Sequence, residues 1–468
     1  MEDLIINTLL FALIGLFVVF FVFCEIVAWL NRRDKNNIMD FKRDVTEVKK
    51  SRKNKSQERE IKGDTTFIGI NQADKTPVNV PNNAKHIFIC GTTGSGKTVA
   101  LSNFIESGFN NNYPMLIVDG KGDMGEGSLI YMIRDLKKDR KVYVVSMNNP
   151  DISSKYNPFR NTPPTVVKDM LMSMTEWSED YYKANVDRYL QRLISMLDKM
   201  GIKISFKSIV ENMPVNKFLD LSSELEQAKI ITKEDNIDNI DLVKETEKAI
   251  TGSYARFSTI FESDLGNIFD ETGIDILTAI KENASILFVL NPLTYPEVSS
   301  LIGNLIIIDS KKAVAGLYNS KPKRAFFLFD EINVYASKEF LNLVNKSRSA
   351  NVTSILATQS LSDLDEAAGV HFKEQIIENC NNYIILRQNS DVNAEKFASI
   401  IGTRVGMDIT YQIKSDYNTT SDTGLGSMRS TREYIYHPDD IKSLKTGEAI
   451  FVSKDDGYNT RVNINKPL

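Results

Sequence analysis

Eight residues, Gly91-Thr92-Thr93-Gly94-Ser95-Gly96-Lys97-Thr98, set three glycines, hydroxyls and a lysine at the spacing of a phosphate-binding loop. Glycine lets the backbone curl so that successive N–H groups converge on phosphate oxygens. Lys97 is spaced to reach the β- and γ-phosphates of ATP, and the Thr98 hydroxyl to hold Mg²⁺. Hydrolysis needs more: an acid for the metal and a base for the water. Asp330-Glu331 supplies both, directly after the hydrophobic run Ala325-Phe326-Phe327-Leu328-Phe329. Asp330 would hold Mg²⁺ through water, and Glu331 would polarise the attacking water. Gln359 ends the next apolar run, where an amide contacts the γ-phosphate or its water. Arg348, in Asn345-Lys346-Ser347-Arg348-Ser349, is a guanidinium that at a subunit edge would stabilise charge on a neighbouring γ-phosphate. Asp119 and Lys121, in Asp119-Gly120-Lys121-Gly122-Asp123, read either as support for the nucleotide site or as a charged turn.

These residues need a scaffold that ends several strands at one edge. Ile87-Phe88-Ile89-Cys90 before the glycine loop reads as a strand, and Val99-Ala100-Leu101 after it as the start of a helix whose positive dipole end faces the phosphates. Further apolar runs lie at Met115–Val118, Val142–Val145, Ile286–Leu290, Ala325–Phe329, Val352–Ala357, Tyr383–Leu386 and Ala449–Val452. Continuous apolar runs alternating with helices predict buried parallel strands covered on both faces. Ligands of such sheets sit beyond the carboxyl ends of the strands, where Asp119, Asp330 and Gln359 fall. Residues 66–81 read as a small hairpin around Asn71-Gln72-Ala73-Asp74-Lys75. Residues 160–283 lack strand signals and hold long helical stretches, with Leu190, Leu193, Ile194 and Leu197 at helix spacing. Lys97 and Asp330 are 233 residues apart, so this all-α block reads as an insertion splitting the core into residues 63–159 and 284–468. Residues 415–431, rich in Ser, Thr, Gly, Asp and Asn, read as a mobile loop.

At 468 residues and net charge −4 the chain is long enough for a full core, and not basic enough to be coated in nucleic acid. The three cysteines, Cys24, Cys90 and Cys380, and three histidines show no metal-ligand spacing, so zinc chemistry and a disulfide framework are not implied. Leu4 to Cys24 carry no charge, and about 20 such residues span a bilayer. With Trp29 at the headgroup level, residues 1–31 predict a single-pass, uncleaved anchor in the cell membrane. Residues 32–62 hold twelve Lys or Arg against six Asp or Glu, a juxtamembrane charge that puts the N-terminus outside and the ATPase part in the cytoplasm.

The order of these motifs, with Tyr156-Asn157-Pro158-Phe159, Lys346-Ser347-Arg348-Ser349-Ala350 and Ala357-Thr358-Gln359-Ser360, resembles the type IV secretion coupling proteins of conjugation, the TraG/TraD family, over residues 63–468. The resemblance implies an α/β, RecA-like P-loop ATPase core with a mainly parallel sheet, an inserted all-α domain and an N-terminal transmembrane helix. It implies a homo-hexameric ring that uses ATP and Mg²⁺ to move single-stranded DNA, with its relaxase, toward a secretion channel. In that family Arg348 matches a trans-acting arginine, Gln359 a residue near the γ-phosphate, and the helical insertion a surface that receives the substrate. Members usually carry two membrane helices; residues 1–31 suffice for one. Two other readings remain: a double-stranded DNA pump like the FtsK/HerA relatives, and a membrane scaffold that binds ATP only to assemble. An ABC-type transporter is disfavoured, since no Leu-Ser-Gly-Gly-like signature separates the two nucleotide motifs.

Overall fold

The structure, a computed structural model, describes residues 15–29, 64–83, 85–174, 177, 179–318, 324–416 and 419–467. Residues 15–29 form helix α1, whose side chains are almost all exposed. Among the described residues no helix is long and apolar enough to cross a membrane. About half of the expected span Leu4–Cys24 precedes α1, and that part, like the basic segment 32–62, lies outside the described residues.

The chain then runs β1 (Thr65–Asn71), β2 (Pro77–Pro81), β3 (His86–Cys90), α2 (Lys97–Asn110), β4 (Met115–Asp119), α3 (Leu129–Leu136) and β5 (Val142–Ser146). Helices follow: α4 (Pro164–Ser173), α5 (Asp180–Lys199), α6 (Phe206–Asn212), α7 (Val215–Gln227), α8 (Lys233–Phe261) and α9 (Ile276–Lys281). The sheet resumes with β6 (Ser285–Val289), α10 (Pro296–Leu317), β7 (Ala325–Asp330), α11 (Lys338–Ser347) and β8 (Val352–Thr358). After α12 (Leu361–Ala368) and α13 (Val370–Asn379) come β9 (Cys380–Ile385), α14 (Asp391–Ile401), β10 (Thr403–Asp416) and β11 (Thr419–Tyr434). The chain closes with α15 (Pro438–Lys442), β12 (Glu448–Ser453) and β13 (Tyr458–Ile464).

Eleven strands make one sheet in the order β2-β1-β13-β12-β9-β3-β8-β7-β4-β6-β5. From β9 to β5 every pair is parallel. These strands are nearly continuous apolar runs because both faces are covered: every residue of β3, β4, β6, β7 and β8 is buried. On one face Leu101, Phe104 and Ile105 of α2 pack over Ile87, Ile117, Leu328 and Ile355. Parallel strands need crossovers, and α2, α10 and α11 are long enough to supply them. The apolar run at Ala449–Val452 departs from the parallel expectation. As β12 it pairs antiparallel with β13, to which a short turn connects it, and antiparallel with β9 as well.

Between β5 and β6 the described residues hold helices and isolated bridges, with no sheet strand. Leu190, Leu193, Ile194 and Leu197 of α5 are all fully buried, and Tyr189 stacks on Phe218 of α7 at 4.4 Å between centroids. The block is fixed at its base by the Tyr156-Asn157-Pro158-Phe159 turn. Tyr156 donates to Asp309 of α10 (3.0 Å), and Lys312 pairs with Asp309 (3.0 Å) and Asp275 (3.2 Å). Gly273 is required there, since a Cβ would sit 2.4 Å from the Tyr156 carbonyl carbon.

Among the described residues of 415–431, residues 415–416 and 419–431 are strand rather than loop. Thr403–Asp416 and Thr419–Tyr434 pair antiparallel along their length as a separate two-stranded ribbon. Polar, glycine-containing sequence reads as loop when judged by side chains, but a ribbon of this kind is held by its backbone ladder, which side-chain polarity does not report.

Candidate functional site

The site lies along the carboxyl edge of the parallel strands. Strand β3 ends at Cys90 opposite Thr358 of β8, and Asp119 of β4 stands opposite Asp330 of β7. With β8 between them, β3 and β7 are two strand spacings apart, about 10 Å. A lysine and a glutamate bridge that gap. The Lys97 ammonium pairs with Glu331 Oε1 and lies 3.5 Å from Asp330 Oδ1. All three side chains are at most 10% exposed.

The glycine loop is shaped by positive backbone angles at Gly94 (φ 74°) and Gly96 (φ 109°), which direct consecutive N–H groups inward as α2 begins. Gly91 cannot be replaced, because a Cβ would come within 2.6 Å of Leu386. The loop is braced from outside: Thr92 N donates to the Arg387 carbonyl (3.1 Å), Gly447 N to the Ser95 carbonyl (3.0 Å) and Thr446 Oγ1 to the Gly94 carbonyl (3.1 Å). Within it, Thr92 Oγ1 and Ser95 Oγ are buried without partners. Orphaned hydroxyls beside a curled run of N–H groups fit a bound polyphosphate.

Beyond β7 the backbone is strained. Glu331 sits in the left-handed region (φ 51°), a conformation that costs a non-glycine residue on the order of 1 kcal/mol or more. It is held there from two sides. Gly120 N donates to the Asp330 carbonyl (3.2 Å), and the Tyr335 hydroxyl donates to the same oxygen (2.7 Å). A Cβ on Gly120 would stand 2.7 Å from that oxygen. Asp119 closes the loop by accepting from Lys121 N (2.9 Å) and Gly122 N (3.1 Å). Burial, and then the charge of Asp330, push Asp119 up to about 7. Burial also raises Asp330, against the opposing charge of Lys97.

Gln359 joins the two halves. Its Oε1 accepts from Thr93 Oγ1 (2.9 Å), and its Nε2 donates to Glu331 Oε1 (2.8 Å). Thr98 occupies the first turn of α2 beside Lys97. The structure thus gathers the loop Gly91–Thr98, Asp330, Glu331 and Gln359. It does not bring Arg348 to them. Arg348 lies in a 3₁₀ turn, residues Arg348–Ala350, just before β8. The seven residues of β8 span roughly 20 Å, which puts Arg348 at the opposite edge of the sheet. There it is exposed and, with burial as the larger cause, holds His86 down to about 4. Sequence reasoning does not single out Tyr335, Thr446 or Gly447; the positive φ of Gly447 (81°) becomes visible only in the fold.

Among the described residues no group of three His, Cys, Asp or Glu side chains forms a metal cluster. Thr98 and Asp330 suit Mg²⁺, which takes one or two protein oxygens and completes its shell with phosphate oxygens and water. Mg²⁺ held there would supply charge neutralisation to the triphosphate.

Residues 324–446 match the family described as the TraM recognition site of TraD and TraG, and residues 67–290 match the one described as Helicase HerA, central domain. An uncharacterized protein of Mycoplasma pneumoniae (strain ATCC 29342 / M129 / Subtype 1) is 28% identical over 132 residues, 26% of this chain and 88% of that one. Among solved structures, the bacterial conjugative coupling protein TrwBdeltaN70 in its unbound form is 15% identical with a TM-score of 0.61, covering 87% of this chain and 90% of that chain. The plasmid coupling protein TrwB in complex with ADP and Mg²⁺ is 14% identical with a TM-score of 0.59, covering 84% and 88%. VirB4 of Thermoanaerobacter pseudethanolicus is 13% identical with a TM-score of 0.56, covering 87% and 98%. At such identities the structural likeness speaks for the fold. Residues 324–446 thus carry a segment of the TraD and TraG type, and the nucleotide site assembled from this chain's own side chains is that of a P-loop NTPase.

Proposed function

We propose that the chain is a membrane-anchored ATPase that couples ATP hydrolysis to the movement of single-stranded DNA and its relaxase into a type IV secretion channel. The observation that carries the reading is the meeting of Lys97, Asp330, Glu331 and Gln359 at one sheet edge, since a chain that only binds ATP has no need of a metal acid, a base and an amide on that base. The loop Gly91–Thr98 grips the triphosphate, Glu331 takes the water proton, and Gln359 fixes the orientation of Glu331 toward the γ-phosphate. Arg348, remote from its own site, serves the site of a neighbouring copy in a homo-hexamer, with the anchor in residues 1–31 and the ATPase part cytoplasmic. The likeness to proteins titled conjugative coupling proteins, and the match to a segment described as a TraM recognition site, support conjugation as the setting.

The match of residues 67–290 to a HerA helicase domain favours a second reading, a double-stranded DNA pump. One assay separates them. ATP turnover is measured with single-stranded or duplex DNA, alongside a Glu331→Gln variant. The first reading expects stimulation by single strands and a fall in turnover of about 100-fold or more in the variant. Stimulation by duplex alone selects the pump, and full turnover by Glu331→Gln overturns both.

A further inference from the structure

A second polar cleft, of about 520 Å³, lies in the helical block between α5 and the start of α8. Its surroundings are acidic, with 22 Asp or Glu against 15 Lys or Arg over residues 160–283. The cleft wall departs from that background. Arg192, Ser195 and Lys199 follow one another on a single face of α5, at spacings of three and four residues. Gln191 donates to Ser195 Oγ (3.3 Å), which leaves the serine proton free to point outward. Arg192 and Lys199 have no ion-pair partner among the described residues. Two acids share the wall: Asp187 accepts from Lys168 (2.9 Å), and Asp235 accepts from Thr232 N and Oγ1 (2.9 Å each) as the cap of α8, its charge also facing Lys199 and Arg192 without a direct ion pair. A guanidinium, a hydroxyl and an ammonium over two helical turns form a tripod for a tetrahedral oxyanion.

The space exceeds what one phosphate fills. The rest of the wall is mixed, with Met196 and Ile231 as apolar surface and Asn239 among the polar groups beside Arg188, Asp187 and Asp235. Asn239 is 1% exposed; its Nδ2 donates to Ser222 Oγ (2.8 Å), while its Oδ1 has no partner. An apolar slot, an unpaired amide oxygen and a cationic tripod ask for one ligand that carries a flat apolar body, a hydrogen-bond donor and a phosphate. We propose that this cleft binds one nucleoside monophosphate unit, either as a free nucleotide or as one residue of a DNA strand, through Arg192, Ser195 and Lys199 on the phosphate and Asn239 on the base. It is a site separate from the glycine loop. A long polyanion lying across the block is disfavoured by its acidic surface, whereas a single unit entering the cleft is not.

The test uses the full chain with the first site filled by saturating ADP and Mg²⁺, titrated with dTMP by calorimetry and with labelled oligo(dT) by anisotropy. Replacing Arg192→Ala and Lys199→Ala together is expected to weaken binding at least tenfold, as the loss of charge-assisted phosphate contacts requires. The slope of log K against log salt for oligo(dT) should fall by about 0.7, the share of one single-strand phosphate. Basal ATP turnover should not change. Loss of both dTMP and oligo(dT) binding assigns a free-nucleotide site; loss confined to oligo(dT) assigns a strand site. The oligo(dT) arm rests on the DNA-transfer reading and the dTMP arm does not, so dTMP binding without any DNA response keeps the site and discards that reading. Lys199→Gln, at an exposed helix end, reads the same effect if the double variant loses helical circular dichroism. Unchanged binding of both probes, or displacement by polyglutamate as effective as by dTMP, overturns the proposal.

Discussion

Without nucleotide, Lys97 has a structural task that the hydrolytic reading does not mention. It stands against two adjacent buried carboxylates, Asp330 at 3% and Glu331 at 7% side-chain exposure, with Asp119 on the neighbouring strand. Lys97→Met keeps the length of the side chain and removes the charge. Removing one partner of a buried ion pair costs about 3–5 kcal/mol, because the remaining charge stays desolvated. At roughly 2–4 °C per kcal/mol for a domain of 150–250 residues, the nucleotide-free protein should melt on the order of 10 °C lower. The sign with pH follows. Burial already raises Asp330 against the opposing charge of Lys97, and removing that charge raises it further above the unfolded value near 4. Stability is then lost as pH rises through that window, so the gap to wild type is widest near pH 8 and narrows toward pH 5. Adding Glu331→Gln to Lys97→Met removes one of the two stranded charges and should restore part of the loss, a coupling of about 0.5–3 kcal/mol. Thermal unfolding of the wild type, Lys97→Met, Glu331→Gln and the double variant at pH 5 and pH 8, without nucleotide or Mg²⁺, reads all of this. If Lys97→Met melts with the wild type at pH 8, or its deficit does not shrink in acid, the buried-charge account of the empty site is wrong.

Three further outcomes are expected. Gln359→Ala cuts the link from Thr93 to Glu331 and should lower kcat about 10- to 100-fold with little change in nucleotide affinity, a split that steady-state turnover and nucleotide titration resolve. Asp119 is held near 7 by burial and by Asp330, so its folded state binds the proton more tightly than the unfolded chain, and stability falls as pH rises from about 4 to 7; Asp119→Asn keeps the acceptor for Lys121 N and Gly122 N and should remove that fall, at most about 4 kcal/mol, in urea titrations across the range. Gly120→Ala sets a methyl 2.7 Å from the Asp330 carbonyl oxygen and close to Glu331, which should destabilise by about 1–3 kcal/mol and displace the acids; an unaltered melting curve with unaltered turnover would contradict the close approach.

What could be read from the chain divides by the range of the interaction that writes it. Strands buried on both faces announce themselves as apolar runs, so β4, β7 and β8 begin where Met115, Ala325 and Val352 begin those runs, and β3 begins one residue earlier than its run, at His86. A strand's end is equally local, and that places Asp119, Asp330 and Gln359 at an edge before any pairing is known. Pairing itself is not local. Nothing in Ala449–Val452 distinguishes an antiparallel strand from a parallel one, because direction is set by the connections, and β12 turns straight back into β13 rather than through a crossover. The ribbon of β10 and β11 hides for the related reason that its ladder is made of backbone groups every sequence possesses. The base of the helical block hides most thoroughly. Tyr156, Asp275, Asp309 and Lys312 come from three segments, and each taken alone is an unremarkable polar residue. Only their burial turns them into a network in which each must answer the others, since a buried charge without a partner is costly. The same logic governs the nucleotide site. Lys97, Asp330 and Glu331 are recognisable by spacing, but the left-handed backbone at Glu331 and the roles of Gly120 and Tyr335 in holding it appear only once β4 and β7 lie side by side. The side chains that do chemistry are therefore legible at a distance, and the ones that hold them in strained positions are not, because holding is a property of neighbours in space.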